Sequence, residues 1–414
     1  MKKFALILTL LLGTLSVHSI TPRSDINPAL IYWKAFAVLP DLSPPDRDYL
    51  LKTDWTGKRL DDRSLSLLRQ YDNTYRELRN AVLSNSDCDW GLDLSQGPQA
   101  LLPYLSRARS TAQIACLRAQ SALQSGAESD AIDELVAEFF LARNLSRDGT
   151  ILSALVQTSI ENTLISFVAE NFYQFSNAAL QKLESGIEAT PARGTLRNSL
   201  ETEQQAFAGW FIDKLQAIRA ANPLNESQVL AEIKKLYNEV SPSEGEQDAD
   251  FANRWIASAG GTSEGVLTSL KAIQPYYTEM DQILQLPYAQ YLPAIQAFDQ
   301  KVARDPNLIV AKILPAISKA KNKEWVIQVK LAMFQAAIAY RLNGQDALKN
   351  ALDPATGDAF DFQTFQLNAL NRGFSLSSHI APRGFNEIMI FVENAGPAFY
   401  VEGPNAGKPI LSEK

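Results

Sequence analysis

The sequence predicts a mainly α-helical protein, built as an array of antiparallel helix pairs with a small α+β cap at the C-terminal end. Two observations predict the helices. Apolar residues recur every three or four positions through residues 104–123 and 132–140, and helix start and stop residues punctuate the chain repeatedly. A third observation predicts the cap, because short aromatic and β-branched segments after residue 344 alternate with Gly, Pro and Asn.

The first 19 residues predict an exported protein. Two lysines precede an apolar run from Phe4 to Val17, and Val17 and Ser19 suit a signal peptidase. The run is shorter than the roughly 20 residues that a membrane span needs. We therefore expect a signal peptide over residues 1–19, a periplasmic or extracellular location, and no transmembrane span in the mature chain.

The charge balance bears on possible partners. The chain has a formal net charge of −7, and loss of Lys2 and Lys3 with the signal peptide would leave −9. Nucleic acids and anionic membrane surfaces attract proteins with positive fields. We therefore expect neither as a partner.

Residues 20–322 are predicted to form the helical array. Asn27 is placed as an N-cap with Pro28 at the first helical position, and Gly126 and Ser129 are predicted to end one helix and to cap the next. The two helices on either side of that turn should form an antiparallel hairpin.

Further helix boundaries are predicted along the array. Ser176 and Gly186 are placed as the cap and the stop of one helix, and Asn225 begins another as a variant of the capping box. Residues 241–250 are polar and acidic without periodicity, which is typical of a surface loop. The prolines between Leu286 and Ala320 should bound or kink helices.

Residues 323–414 are predicted to form the cap. A helix over Lys323–Gly344 is followed by four strand-like segments, which should fold as a small antiparallel sheet against that helix. The segments are 360–367, 373–380, 386–392 and 398–401.

Several segments carry a resemblance to known proteins. "SGAESDAIDELVAEFFLARNL", residues 125–145, resembles the second half of a tetratricopeptide repeat. The chain is also similar to uncharacterised exported bacterial helical proteins with tetratricopeptide-like helix pairs, through "NPALIYWKAFAVLP", "CDWGLDLSQGPQALLPYLSRAR" and "AIAYRLNGQDALKNALDPATGDAFDF". The last of these resembles the head of a type II secretion pseudopilin. The resemblance implies an architecture and no activity.

The loop "SDCDWGLDLSQGP", residues 86–98, is predicted to be a structural corner. Trp90 can bury a large apolar surface, and Gly91 permits a turn. Gly97 with Pro98 is expected to start the long helix that follows.

The only two cysteines suggest a way to fasten this loop. In an oxidising compartment a Cys88–Cys116 disulfide would join the loop to the following helix and add roughly 3 kcal/mol by chain entropy. The alternative is that Cys116 is a buried thiol on an apolar helix face.

Two candidate chemistries are weak in this sequence. Asp87, Asp89 and Asp93 offer oxygens to calcium, but their spacing lacks the glycine and the final acid of an EF-hand loop, so no metal site is expected. His379 is the one histidine left after signal cleavage, and we expect it to be structural or on the surface rather than catalytic.

Paired carboxylates would be needed by a glycan-cleaving helical toroid. Glu134 and Glu138 share one helix face, and this pattern predicts a solvated flank. Asp87 or Asp89, close to Trp90, is the candidate acid for a toroid.

The sequence favours a noncatalytic exported protein that serves as an interaction scaffold for a protein or a cell-envelope component. No catalytic residue, cofactor or metal is assigned. The alternative is an (α/α)-toroid-like enzyme acting on polysaccharide or peptidoglycan. A secretion- or pilus-associated component is a third reading, based on the pseudopilin-like segment alone.

Overall fold

The computed structural model describes residues 25–240, 250–367, 370–380 and 386–392. Within these ranges the chain forms sixteen α-helices and one three-stranded antiparallel sheet near the C-terminus. The predicted mainly helical class with a small C-terminal sheet is therefore confirmed. The predicted signal peptide, nearly all of the 241–250 loop and the strand at 398–401 lie outside the described residues.

The helices of the first half are α1 Pro28–Ala37, α2 Pro44–Lys52, α3 Asp62–Arg69, α4 Asp72–Val82, α5 Pro103–Gln124, α6 Glu128–Leu145, α7 Ile151–Glu170 and α8 Asn177–Glu188. Those of the second half are α9 Leu196–Glu203, α10 Trp210–Ala221, α11 Glu226–Val240, α12 Phe251–Ser258, α13 Ser263–Lys271, α14 Gln274–Leu284, α15 Tyr288–Ala303 and α16 Leu308–Asn343. A π-helical turn over Gln204–Gly209 joins α9 to α10.

Helix α7 lies at the centre of the protein. It packs against α5, α6 and α16, and its C-terminal half also contacts the sheet. In the described part of the chain it is the one helix long and apolar enough to cross a membrane, but 61% of its most apolar window is buried inside the protein. Burial of most of this window accounts for its apolar composition.

The predicted hairpin of α5 and α6 is confirmed, with a correction at its turn. The helices pack along their lengths and are joined by residues 125–127. Gly126 adopts a left-handed conformation, and α6 begins at once at Glu128. Ser129 is therefore not the N-cap, and its hydroxyl instead accepts a hydrogen bond from Lys182 of α8.

Gly186 does not end α8, contrary to the prediction. The helix continues to Glu188, because Gly186 serves packing rather than termination. A Cβ atom at this position would lie 2.5 Å from the Val136 side chain of α6. The missing side chain therefore lets α8 approach α6 closely. The predicted caps at Asn27, Ser176 and Asn225 are confirmed by their side-chain hydrogen bonds.

Helix α16 is 36 residues long and extends well beyond the predicted helix. It starts at Leu308, so the predicted beginning of the C-terminal unit at residue 323 falls inside it. Pro315 lies within α16, and Pro293 lies within α15. These prolines do not end their helices. Each proline removes one backbone hydrogen bond, but the packing of buried side chains such as Leu314 and Ile317 stabilises the helix by more than this loss.

The sheet has the strand order β1-β2-β3, with β1 at Asp361–Leu367, β2 at Leu370–Ser377 and β3 at Ile388–Val392. Phe374 of β2 pairs with Phe391 of β3. Its ring also contacts Tyr340 of α16, and both phenylalanines contact Phe172, which follows α7. The sheet thus packs on two helices rather than one, and holds their ends side by side.

Candidate functional site

The loop of residues 86–98 connects several helices through Trp90. Trp90 is buried and stacks between Tyr32 and Tyr104, with ring centroids 5.7 and 4.2 Å away. Its indole N–H donates to the backbone oxygen of Asn144 at 2.8 Å. One tryptophan therefore joins α1, α5 and α6.

The predicted helix start in this loop is wrong. A 3₁₀ turn covers Leu94–Gln99, and α5 begins only at Pro103, which occupies the N-terminal proline position instead of Pro98. Gly97 has φ +59°, and a Cβ atom there would lie 2.4 Å from the ring of Trp210. Gly91 also has positive φ, which agrees with the predicted turn. Gly97 therefore seats α10 against the loop.

Both cysteines are free thiols in the structure. Cys88 is buried near Tyr104, and burial raises the pKa of its thiol to about 12. Cys116 follows Tyr104 by twelve residues on α5, which corresponds to roughly 18 Å along the helix axis. Burial also raises the pKa of the Cys116 thiol. The structure does not bring the two residues together, and the predicted bridge is not formed in it.

The three loop aspartates are exposed, and two of them stabilise local turns. Asp89 accepts a hydrogen bond from the N–H of Gly91, and Asp93 accepts one from the N–H of Ser95. Across the described ranges no group of three or more His, Cys, Asp or Glu side chains could hold a metal ion.

His379 lies at the surface next to an exposed acid. Its Nε2 is 3.3 Å from a carboxylate oxygen of Asp361, and both side chains are more than half exposed. The neighbouring Ser378 is buried and donates instead to Asp353. Ser378, His379 and Asp361 are thus not arranged as a nucleophile, base and orienting acid.

Glu134 and Glu138 are buried, so the predicted solvated flank is wrong. Only 4% of Glu134 and 0% of Glu138 is exposed, because α4 and α5 cover this face of α6. Glu134 accepts hydrogen bonds from Arg79 and Arg118 at 2.7 and 2.9 Å. Glu138 accepts one from the Thr111 hydroxyl at 3.3 Å. Sequence periodicity could not reveal this burial, since both faces of α6 are covered.

Each of these carboxylates has one oxygen without a hydrogen-bond partner in the structure. Burial raises the pKa of Glu138 well above its usual range, and the negative charge of Glu134 adds to the rise. Burial also raises the pKa of Glu134, although Arg118 and Arg79 oppose it. Glu138 therefore keeps its proton to higher pH than an ordinary carboxyl group does.

Glu134 lines a mixed-charge cleft of 420 Å³ between α3, α4, α5 and α6. Besides Glu134, three arginines and three aspartates line it: Arg69, Arg79 and Arg118, and Asp72, Asp130 and Asp133. Glu138 does not line this cleft. Of the two glutamates on this face of α6, only Glu134 lines the cleft, and two arginines already hold it. Glu134 and Glu138 therefore do not form the pair of acids across a cleft that glycoside cleavage requires.

The tryptophans have structural positions. Trp90, Trp210, Trp255 and Trp325 are buried, and Trp33 and Trp55 are half-buried against the core. None of them lines the mixed-charge cleft or the cleft described next. The aromatic rim expected of a toroid enzyme is therefore not found at either place.

A larger cleft of 680 Å³ lies between α7 and α16. We call it the cationic cleft, because four cations and no acidic residue line it: Arg109, Lys319, Lys323 and Lys330. Its apolar wall is formed by Leu152, Leu155, Val156, Val326 and Ile327. A concave site of this volume with an apolar wall and few charged groups is typical of ligand binding.

The cations of the cleft differ in their surroundings. Arg109, Lys319 and Lys323 are exposed, and none of the three forms an ion pair with the described residues. Lys330 is only 2% exposed, and its ammonium donates to the side-chain oxygen of Asn162 on α7 at 3.1 Å. Lysines are rarely buried to this extent, and Lys330 forms part of the inner wall of the cleft.

A buried ion-pair network fixes the α7 side of the cleft. Glu161 is fully buried and accepts from Arg143 at 2.6 Å and from Arg193 at 2.8 Å. Arg193 also donates to the hydroxyl of Thr158, which lines the cleft. The cleft is therefore built on a rigid wall.

The sequence analysis did not identify the cationic cleft. Lys319 and Lys323 are four residues apart, and Lys330 follows seven residues later, so a cationic stripe could have been seen on α16. Nothing in the sequence shows that α7, more than 150 residues earlier, forms the opposite wall.

Comparison of the chain with protein-family models, with curated proteins and with solved structures finds no match. The function therefore has to be argued from the geometry of the chain itself.

Proposed function

We propose that this protein is a noncatalytic, exported interaction protein that holds an acidic component of the cell envelope in its cationic cleft. One observation carries the proposal. Three exposed cations that form no ion pair with any described residue stand beside an apolar wall in a chain whose net charge is −7. An apolar wall supplies affinity, and unpaired charges at its rim select the sign of the ligand.

The helical body supports a scaffold role. We infer that α5 and α6 form a tetratricopeptide-like pair, on the basis of their antiparallel packing and three-residue connection. Helix α7 packs on both of them and carries one wall of the cleft. A rigid array of this kind presents its ligand site without rearrangement.

The residues that could suggest catalysis have structural roles instead. Glu134 is held by two arginines, Glu138 is sealed in the core, and the imidazole of His379 lies beside an exposed acid. None of the residues that line the cationic cleft is a carboxylate, a cysteine or a histidine. The cleft therefore favours binding over general acid and base chemistry.

The negative charge of the whole chain predicts how binding should depend on salt. The net charge repels an acidic partner at long range, whereas the cleft attracts it at short range. Salt screens exposed charges with a Debye length of about 10 Å at 0.1 M. We expect capture of the partner to weaken at high salt, but not to vanish, because the apolar wall is insensitive to screening.

The experiment is capture from a native envelope extract with the purified, immobilised protein, followed by mass spectrometry of what is retained. The test variant is Lys319→Glu with Lys323→Glu. The matched control is Lys271→Glu with Arg304→Glu, which reverses two exposed cations outside the cleft. We expect a component that the wild type and the control retain and the test variant loses. Equal retention by all three proteins would show that the cationic cleft is not the binding site.

The helical-toroid enzyme is tested in the same experiment. Released muropeptides or reducing sugars in the extract would favour it. The position of the tryptophans and the burial of Glu138 give no reason to expect them.

A further inference from the structure

We propose that the ligand of the cationic cleft is an anionic single-chain amphiphile, with its acidic head at Lys319 and Lys323 and its hydrocarbon chain along the apolar wall. This inference rests on the proposed function and names the chemical class of the ligand. It is argued from three features of the cleft: the position of its unpaired charges, its volume and the exposure of its apolar side chains.

Lys319 and Lys323 determine where the acidic head group would bind. Lys319 and Lys323 are one helical turn apart on α16, so their side chains are neighbours on one face. Both are exposed, and neither has an ion-pair partner among the described residues. A carboxylate or a phosphate can accept hydrogen bonds from both ammonium groups at once. The head therefore sits at the rim, where it stays partly hydrated.

The chain is placed by the apolar wall. Val326 and Ile327 follow the lysines along α16, and Leu155 and Val156 face them from α7. Leu152 also lines the cleft and is 60% exposed, so it offers apolar surface to a ligand. Leu155 and Val326 are half-buried, whereas Val156 and Ile327 are already buried. A hydrocarbon chain would remove the exposed surface of Leu152, Leu155 and Val326 from water, and each methylene that it buries would add to the affinity.

The volume favours a small molecule over a folded protein. The cleft measures 680 Å³, within the range of roughly 300–1,000 Å³ for small-molecule sites. A stable protein interface would instead bury on the order of 800 Å² of surface on each partner. A nucleotide is also a poor fit, because no aromatic side chain lines the cleft to stack on a base.

Isothermal titration calorimetry of the purified protein tests the inference, with each probe kept below its micelle concentration. Laurate and dodecyl phosphate carry the same chain on two anionic heads, and dodecanol carries it on a neutral one. We expect one molecule of an anionic probe per chain, and binding at least about tenfold weaker for dodecanol. Tighter binding of laurate would identify a free fatty acid as the source, and tighter binding of dodecyl phosphate a lipid phosphate head group.

Two pairs of variants locate the site. Lys319→Glu with Lys323→Glu should weaken binding of the anionic probe about tenfold or more, and Lys271→Glu with Arg304→Glu should leave it unchanged. Leu152→Ser should weaken it, whereas Leu224→Ser, at a fully exposed leucine outside the cleft, should not. The three residues substituted in the test variants, Lys319, Lys323 and Leu152, are exposed at the surface, so these variants should fold.

The outcomes separate this inference from the proposed function. If no anionic probe binds, or if dodecanol binds as tightly, the inference is overturned. If the envelope extract then still yields a component lost from the lysine variant, the proposed function stands with a ligand of another class. If the extract also yields no such component, both proposals fail.

Discussion

Glu134 and Glu138 lie one turn apart on α6, and only the first of them reaches an arginine. Arg79 and Arg118 both donate hydrogen bonds to Glu134. Glu138 is fully buried in the core and accepts a hydrogen bond from the Thr111 hydroxyl. Two carboxylates on the same helix face are thus held in different ways. Their substitutions should have opposite effects on stability.

Glu138→Gln should make the protein less sensitive to alkaline pH. Burial raises the pKa of Glu138 in the folded state, so the folded protein holds this proton more tightly than the unfolded chain does. Its contribution to stability is fully present below the unfolded pKa and is lost as pH rises from there through the raised folded pKa. Glutamine does not ionise, so Glu138→Gln should not lose stability in this way as the pH rises. Urea denaturation between pH 5 and pH 8 measures the free energy of unfolding.

We expect that free energy to fall with pH more steeply in the wild type than in Glu138→Gln. The two proteins should also converge towards acidic pH. Parallel pH profiles would show that Glu138 does not carry the pH dependence.

Glu134→Gln should destabilise the protein at pH 7. The substitution removes the negative charge that Arg79 and Arg118 share, and Arg118 is largely buried. Arg118 would keep only its pair with Asp72, and Arg79 is 39% exposed, so we expect the lost hydrogen bonds to Glu134 to cost about 1–3 kcal/mol. Chemical denaturation at pH 7 checks the value, with Glu138→Gln as the matched control on the same helix face. A loss below about 1 kcal/mol would mean that the ion pairs contribute little to stability.

Gly97→Ala should cost more stability than Gly91→Ala. Both glycines have positive φ, +59° at Gly97 and +65° at Gly91, so alanine at either position carries a backbone penalty of about 1–3 kcal/mol. A Cβ atom at Gly91 meets nothing within 4 Å, whereas at Gly97 it would lie 2.4 Å from Trp210. We expect a further loss of about 1–3 kcal/mol at Gly97, measured by denaturant unfolding. Equal losses of stability in the two variants would indicate that Trp210 does not pack against Gly97.

Counting thiols tests the bridge predicted between Cys88 and Cys116. The arrangement of the structure implies two thiols per chain in the denatured, unreduced protein. In the native protein they should react slowly at pH 7, because burial raises the pKa of Cys88 to about 12 and also raises that of Cys116. A bridged protein would release no thiol until it is reduced. Mass spectrometry after alkylation distinguishes the two cases.

The sequence predicted those parts of the fold that depend on local signals. The caps at Asn27, Ser176 and Asn225, the α5–α6 hairpin and the strands of the sheet follow from side-chain chemistry within a few residues. These signals do not depend on tertiary contacts, so they can be recognised in a single sequence.

The predictions that failed depend on distant contacts. Gly186 continues its helix because Val136 of another helix lies against it, and Ser129 is used by Lys182 rather than by its own helix. Glu138 is buried because α4 and α5 cover it. In each case the partner is far away in the sequence, and periodicity carries no information about it.

The candidate site was missed for the same reason. The lysines of α16 are visible in the sequence, but their meaning depends on the wall that α7 provides. Lys330 and Asn162, which are joined across the cleft, are 168 residues apart. A cationic stripe on one helix is ordinarily a solvated surface, and only the opposite wall makes it a site.

The distance in sequence between Asn162 and Lys330 has a consequence for the order in which the parts of the protein are synthesised and fold. The α5, α6 and α7 segments are close in sequence and can pack early, whereas contacts across long loops form late and slowly. The cleft is complete only when α16 has joined α7, after most of the chain has been synthesised. A chain interrupted before residue 308 could still fold part of its helical body, but it would have half a cleft and no lysine stripe. Ligand binding would therefore report that synthesis and folding have reached the C-terminal half, and a bound ligand would favour the finished protein over its precursors.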